Sequence, residues 1–191
     1  MQVSETSMGV DNRKMAMWIF LGSEFLFFGA FISTYLLYFD RTNGGPGVEI
    51  FDIPFTSVSS FVLLMSSLTM VLAHHAHTQG DMRRMRMWTL ATALQGMVFI
   101  GGQVYEFSKF NLEGLGLTTS PFSSSFFVLT GFHGAHVTIG ILMLLALWWL
   151  SHTGKVREDQ PLKTEIIGLY WHFVDIIWVI IFTVVYLIPA G

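Results

Sequence analysis

The sequence contains no cysteine. Disulfides, iron–sulfur clusters, thiolate metal sites and a dinuclear copper site built on paired thiolates are therefore excluded. Charged residues are also scarce, at 12% of the chain, about half the share that soluble domains carry. The net charge of −3 comes without a basic stripe interleaved with exposed aromatic residues, so the composition argues against a nucleic-acid partner.

Apolar residues are abundant, at 52% of the chain with 18 phenylalanines, and they fall into five long runs. A helix of about 20 residues crosses the ~30 Å hydrocarbon core of a bilayer, and each run reaches about that length. We therefore predict an all-α integral membrane protein with a single domain, residues 1–191, that forms a bundle of five transmembrane helices. The predicted spans are residues 15–39, 55–73, 87–107, 122–150 and 166–188.

Basic residues are divided unevenly between the two sides that these spans define. Positive charge marks the cytoplasmic side of a membrane protein. Arg41 and Lys109 fall on one side, and the other side carries the remaining eight of the ten Lys and Arg residues: Arg13, Lys14, Arg83, Arg84, Arg86, Lys155, Arg157 and Lys163. We therefore expect a cytoplasmic N-terminus and a C-terminus, at Gly191, outside.

The ends of the predicted spans carry two further signals. The polar segment Met1–Lys14 lacks the apolar core and small-residue cleavage site of a signal peptide, so we expect the first apolar run to remain as a span. Aromatic rings that prefer the headgroup level lie near span ends, namely Trp18, Trp88, Trp148, Trp149 and Tyr186.

Glu24 interrupts the first apolar run with no basic residue nearby in sequence. An ionised side chain in hydrocarbon costs at least ~2.5–3.5 kcal/mol, so such a residue usually faces protein or water and has a partner. We favour a neutral carboxyl that is hydrogen-bonded to a neighbouring helix. The alternative is a proton-exchanging or gating site.

His133 and His136 lie three residues apart in the fourth run and share one face of a helix. Gly131 and Gly134 between and beside them would let another backbone approach closely. Two histidines at this spacing could be partial metal ligands, but the span offers no carboxylate or third histidine beside them. We favour a pair whose rings are satisfied by hydrogen bonds between helices.

His172 and Asp175 form a second pair with the same spacing in the fifth run. Each side chain can supply what the other lacks, so the two can satisfy one another in lipid. We favour a structural role, in which the pair makes polar contacts that hold one helix against the next. The alternative is a proton relay.

His74, His75 and His77 follow the second run and precede a basic loop. We expect them at the cytoplasmic surface. Because histidine changes charge near neutral pH, the cluster could collect protons there. It could equally be a solvated helix end that contacts lipid headgroups, and the residues alone leave both possibilities open.

Two other classes of membrane protein fit five spans. A dihaem cytochrome b anchor needs four histidines paired at matched depths on different helices, but the spans contain only His133, His136 and His172. A small transporter often shows inverted repeats and helices broken by Gly or Pro, but no repeat and no mid-span proline is visible here.

Four stretches of the sequence, in this order, resemble the subunit III family of haem–copper respiratory oxidases, and the resemblance runs from Met15 to Leu187. The last two stretches are the more specific. The four are Gly22–Phe28, Ala73–His77, Gly131–Val137 and Tyr170–Trp178. The family's larger members have seven spans, and this chain looks like the bacterial five-helix form without the first two. That departure removes the helices that would complete a lipid cleft, which a neighbouring subunit would then have to supply.

The resemblance implies an accessory role in an enzyme complex rather than a catalytic reaction carried out by this chain. It implies a multi-pass protein of the bacterial plasma membrane that binds no redox metal and packs against catalytic subunit I, which holds the haems and copper, alongside subunit II and membrane lipids. It also implies bound phospholipid, support of proton uptake and durability during turnover. Glu24, His133, His136, His172 and Asp175 match the family's intramembrane polar positions. Cytochrome c oxidase is the expected complex, and a quinol oxidase or a nitric-oxide-reductase-associated homologue is the alternative.

Overall fold

The fold is an all-α bundle in this computed structural model, which describes residues 11–188. The predicted polar segment lies outside these residues as far as residue 10, and so does the C-terminal Gly191. The helices are α1 (Asn12–Tyr38), α2 (Ile53–Thr78), α3 (Met82–Leu112), α4 (Pro121–His152) and α5 (Pro161–Phe182). A 3₁₀ turn at Val48–Ile50 precedes α2, and α5 continues into one π-helical turn at Thr183–Leu187.

The helices begin at residues that cap their free backbone N–H groups. An Asp precedes each of α1, α2 and α3, and Ser120 precedes α4, and each accepts a hydrogen bond from a backbone N–H of the first turn. Proline occupies the first turn of α2, α4 and α5, where its missing N–H has no intrahelical role. These caps, rather than the edges of the apolar runs, set the helix starts.

Within residues 11–188, four helices are long and apolar enough to cross a membrane, namely Asn12–Tyr38, Ile53–Thr78, Pro121–His152 and Pro161–Leu187. The remaining helix, α3, is the least apolar because it carries Arg83, Arg84 and Arg86 at one end and buries Gln103 and Glu106. Both α2 and α3 extend past the predicted spans, since each helix continues beyond its apolar run to the turn at Gly80. Gly80 adopts a φ of +77°, which favours glycine.

The five helices pack as a closed ring in the order α1, α4, α3, α2 and α5, and α4 also contacts α5 directly. Trp171 of α5 lies inside the ring against two glycines. A Cβ atom on Gly96 of α3 would lie 2.6 Å from the indole, and one on Gly140 of α4 would lie 2.8 Å from it. The indole Nε1 donates to Ser66 Oγ of α2 at 2.9 Å, so this one side chain ties three other helices to α5.

Tyr186, predicted near a span end, lies in the π-helical turn after α5, where it is 2% exposed and its hydroxyl donates to Glu106 at 3.4 Å. One prediction about packing needs correction. Gly131 was expected to admit a close neighbour, but no atom lies within 4 Å of its Cβ position. Gly134 does meet a neighbour, the side-chain Oε1 of Gln103 at 2.8 Å, rather than a backbone.

Candidate functional site

Glu24 of α1 meets His136 of α4 inside the apolar part of the bundle. The carboxylate Oε2 lies 3.1 Å from the imidazole Nε2, and both side chains are less than one fifth exposed. The partner of Glu24 is therefore a histidine on a helix far along the chain. The expectation that Glu24 bonds to a neighbouring helix agrees with this geometry, although its functional role remains a prediction.

The hydrogen bonds fix how many protons the Glu24–His136 pair holds. The imidazole Nδ1 lies 2.7 Å from the carbonyl oxygen of Phe132, so Nδ1 must be the donor there. One further proton must then lie between Nε2 and the carboxylate. A pair that shares one proton in this way, either as imidazole with carboxylic acid or as imidazolium with carboxylate, would place no net charge in hydrocarbon.

His133 lies one turn from His136 but has different surroundings. Its ring is fully buried and is stacked on Trp178 at 4.9 Å, with Phe28 and Phe99 edge-on. Neither ring nitrogen has a hydrogen-bond partner among residues 11–188. The prediction that hydrogen bonds between helices satisfy both histidines is therefore wrong for His133, because aromatic rings occupy the positions where donors or acceptors would have to lie.

His172 and Asp175 of α5 do not bond to each other directly. Ser67 of α2 lies between them, with its Oγ 2.6 Å from Asp175 Oδ2 and 3.1 Å from His172 Nδ1. The predicted direct pair is therefore a bridged triad, because side chains three residues apart on a helix project outward toward the facing helix. The bridge joins α5 to α2, as expected if these residues hold one helix against the next.

The three histidines at the end of α2 occupy three different environments. His75 is exposed and His74 is half-buried. His77 is 0% exposed, and its Nε2 donates to the carbonyl oxygen of Arg157 at 2.9 Å while its Nδ1 accepts from Thr164 at 2.7 Å. The expected surface position is therefore wrong for His77, because the α4–α5 loop and the start of α5 cover it.

Two polar contacts were not anticipated from the sequence. Glu106 of α3 is 4% exposed and meets Thr56 of α2 at 2.6 Å. Lys14 of α1 pairs with Glu165 of α5. Glu106 and Glu165 both lie near the ends of apolar runs in the sequence. The same sequence pattern fits a residue that faces lipid headgroups and one that faces a neighbouring helix, so the pattern does not predict these contacts.

No group of three or more His, Cys, Asp or Glu side chains within residues 11–188 is arranged to hold a metal ion. Neutral imidazole and carboxylate are common metal ligands, so the histidines of α4 and α5 have the right chemistry. Their partners, however, are Glu24, Ser67 and aromatic rings. These histidines therefore make contacts between helices, by hydrogen bonds at His136 and His172 and by ring stacking at His133.

Comparison with known proteins gives a consistent match over almost the whole chain. A family model described as cytochrome c oxidase subunit III matches residues 2–189. A cytochrome c oxidase subunit 3 from Bacillus sp. (strain PS3) is 41% identical over 177 residues, covering 92% of this chain and 86% of that protein. A probable quinol oxidase subunit 3 from Staphylococcus saprophyticus is 38% identical over 180 residues, covering 92% and 88%. Quinol oxidase subunit 3 of Bacillus subtilis (strain 168) is 38% identical over 179 residues, covering 93% and 87%.

Proposed function

The chain belongs to the cytochrome c oxidase subunit III family, and from that premise we propose that it is the accessory subunit III of a proton-pumping terminal oxidase that takes electrons from cytochrome c. The family is a membrane oxidase subunit of the respiratory chain, so this chain is one component of a multisubunit haem–copper oxidase. Catalytic subunit I and subunit II are its proposed partners, with the haems and copper in subunit I.

The choice of cytochrome c over quinol rests on one observation. The relative named as a cytochrome c oxidase subunit is 41% identical to this chain, and the relatives named as quinol oxidase subunits are 38% identical. Quinol remains the alternative donor. Purified complex supplied separately with reduced cytochrome c and with a quinol would decide between them by oxygen consumption. Faster oxidation of the quinol would reverse the assignment.

We propose that five helices span the bacterial plasma membrane, namely the four more apolar helices and, in addition, α3. The basic end of the bundle, which carries the start of α1, the α2–α3 turn and the α4–α5 loop, faces the cytoplasm, following the distribution of Lys and Arg. Antiparallel packing of successive helices supports a fifth span, since α3 must return the chain between α2 and α4. Reporter fusions within the α2–α3 turn and within the loop at residues 113–120 should report opposite sides.

The proposed role within the oxidase is to cover one flank of subunit I, to support proton uptake there and to prolong its active life, with phospholipid bound at the contact. The internal pairing of the intramembrane histidines supports a chain that holds no redox metal of its own. His74 and His75 are the proposed proton-collecting groups at the basic end. Their replacement, with His77 left intact, should lower turnover at alkaline pH, and unchanged turnover would remove that part of the proposal.

An optical spectrum tests the proposed absence of a redox centre. Gentle detergent purification should yield haem absorbance only when partner subunits are retained. The folded chain alone, checked for helix content by circular dichroism, should show no haem band. Stoichiometric haem in that material would overturn the proposal.

A further inference from the structure

Six polar side chains follow one another from the basic end of the bundle, where one belongs to α1, into the seam between α2 and α5. We call this series the polar file; its members are Lys14, Glu165, His74, His172, Ser67 and Asp175. Lys14 and Glu165 form an ion pair at its mouth, and both side chains are about one third exposed. Asp175, at its inner end, is 5% exposed and lies about 21 Å along α5 from Pro161, at 1.5 Å per residue.

The spacing on the two helices keeps the polar file continuous. On α5, Glu165 and His172 are two helical turns apart and therefore share a face, and Asp175 follows one turn later. On α2, which runs antiparallel to α5, Ser67 and His74 are also two turns apart. Because His77 of α2 contacts Thr164 of α5 and Ser67 of α2 contacts His172, His74 lies along α2 opposite the stretch of α5 between these two contacts.

The inner part of the polar file can pass a proton. Ser67 has a single hydroxyl hydrogen but contacts both His172 Nδ1, at 3.1 Å, and Asp175 Oδ2, at 2.6 Å. When Ser67 donates to Asp175, it must accept from Nδ1–H of His172. When Asp175 carries the proton and donates to Ser67, the hydroxyl must donate to an unprotonated Nδ1. These two hydrogen-bond patterns differ by one proton moved between His172 and Asp175.

Two atoms of the polar file are buried and have no hydrogen-bond partner among residues 11–188. They are His74 Nδ1 and Asp175 Oδ1. Buried polar groups in proteins are normally satisfied, often by internal water that makes about three hydrogen bonds. In the path proposed below, each of these two atoms bonds to internal water.

Beyond Asp175 the seam between α2 and α5 is closed. Trp178 lies one turn further along α5, is 2% exposed, and donates from Nε1 to Ser60 Oγ at 2.8 Å. The ring of Phe99 of α3, which is 1% exposed, packs edge-on against it with the ring centroids 4.8 Å apart. These buried side chains separate Asp175 from the opposite end of the bundle, whereas the partly exposed members of the polar file lie at the basic end.

We propose that the polar file is a hydrated, one-ended proton path through which Asp175 exchanges its proton with the side of the membrane that the basic end faces. On uptake, a proton supplied through water past His74 bonds to Nε2 of His172 as its Nδ1–H bond breaks; the Nδ1 proton passes to Ser67 Oγ, and the proton of Ser67 passes to Asp175 Oδ2. His172 ends as a neutral imidazole that carries its proton on Nε2, so the net change is one proton taken up and one carboxylate neutralised. Lys14, Glu165, His75 and His77 are the other charged or titratable groups that face His74. The path does not depend on which electron donor the oxidase uses.

Infrared spectroscopy of the purified oxidase complex tests this path. The carbonyl band of the protonated Asp175 is identified as the band that disappears in the Asp175→Asn complex. After exchange of H₂O for D₂O, that band should shift quickly in the wild-type complex. Ser67→Ala should slow the shift by about tenfold or more, because the relay loses its hydroxyl. Ser67→Thr, which keeps the hydroxyl, should exchange at close to the wild-type rate.

A matched control separates the path from packing. Ser60→Ala removes another hydrogen bond between a serine of α2 and α5, but outside the polar file, so exchange at Asp175 should be unchanged. If Ser67→Ala fails to assemble, His74→Leu at the half-buried mouth should slow exchange in the same way. Wild-type exchange rates in Ser67→Ala or His74→Leu, or no exchangeable Asp175 band at any pH at which the complex stays assembled, would overturn the proposal.

Discussion

The imidazole Nε2 of His136 on α4 lies 3.1 Å from the carboxylate Oε2 of Glu24 on α1, and these residues are 112 positions apart in sequence. α1 contacts only α4 and α5 to any extent, and much of its apolar surface is exposed, including Trp18, Phe25 and Leu26. The pair is therefore a directional contact on a helix that otherwise has few. It fixes which face of α1 turns toward the bundle.

Replacing Glu24 tests whether its proton or its hydrogen bond matters. Glu24→Gln keeps a donor for His136 Nε2 but removes the shared proton. We expect initial oxygen reduction to be nearly unchanged and the active life during turnover to be shorter, as measured by the time course of oxygen consumption. Immediate loss of haem from the complex would contradict an accessory role.

The matched variant Glu24→Leu loses the hydrogen bond as well. A double-mutant cycle of Glu24→Leu with His136→Leu should give a coupling free energy of about 0.6 kcal/mol, the average for hydrogen bonds between membrane helices. Thermal dissociation of the purified complex provides the measurement. Coupling indistinguishable from zero would mean that the contact does not stabilise the bundle.

His77 should be the structural histidine of its cluster. His77→Leu leaves the buried hydroxyl of Thr164 and the carbonyl oxygen of Arg157 without their partner, and a buried group left unsatisfied costs about 1–3 kcal/mol. We expect faster hydrogen exchange and faster proteolysis in the α4–α5 loop. The exposed neighbour His75, replaced by Leu, is the control and should leave the loop protected; equal effects at both positions would refute the assignment.

Gly96 and Gly140 should be intolerant of any side chain. Alanine at either position would place Cβ less than 3 Å from the rigid ring of Trp171, and overpacking of this kind typically costs about 1–3 kcal/mol. We expect lower thermal stability of Gly96→Ala and Gly140→Ala complexes. On the same two helices, Gly101 and Gly131 have no atom within 4 Å of their Cβ positions, so alanine there should be tolerated.

Glu106 should join three helices at the end of the bundle opposite the basic end. Its carboxyl contacts Thr56 of α2 at 2.6 Å and the hydroxyl of Tyr186, in the π-helical turn after α5, at 3.4 Å. Glu106→Leu leaves Thr56 and Tyr186 without this partner, and we expect lower thermal stability by about 1–3 kcal/mol. Glu106→Gln, which keeps an acceptor, should lose less; equal losses would point to the charge rather than the hydrogen bonds.

The helical class and the polar residues of the interior could be predicted from the order of the amino acids alone. Five apolar runs of membrane-spanning length, with few charges, predict helices because a backbone in hydrocarbon must satisfy its own hydrogen bonds. The same runs made Glu24, His133, His136, His172 and Asp175 conspicuous, because each is costly in lipid. The family could also be predicted, since its motifs include these polar residues in a fixed order.

Which side chains contact one another follows only from the way the helices pack. A spacing of three residues shows that His172 and Asp175 share a helix face, but not that Ser67 of α2 lies between them. The sequence around His77 is that of a solvated helix end, and its burial follows from the path of the distant α4–α5 loop. Periodicity within one helix defines a direction, whereas a hydrogen bond needs an atom within about 3 Å, and that atom comes from whichever helix packs against the face.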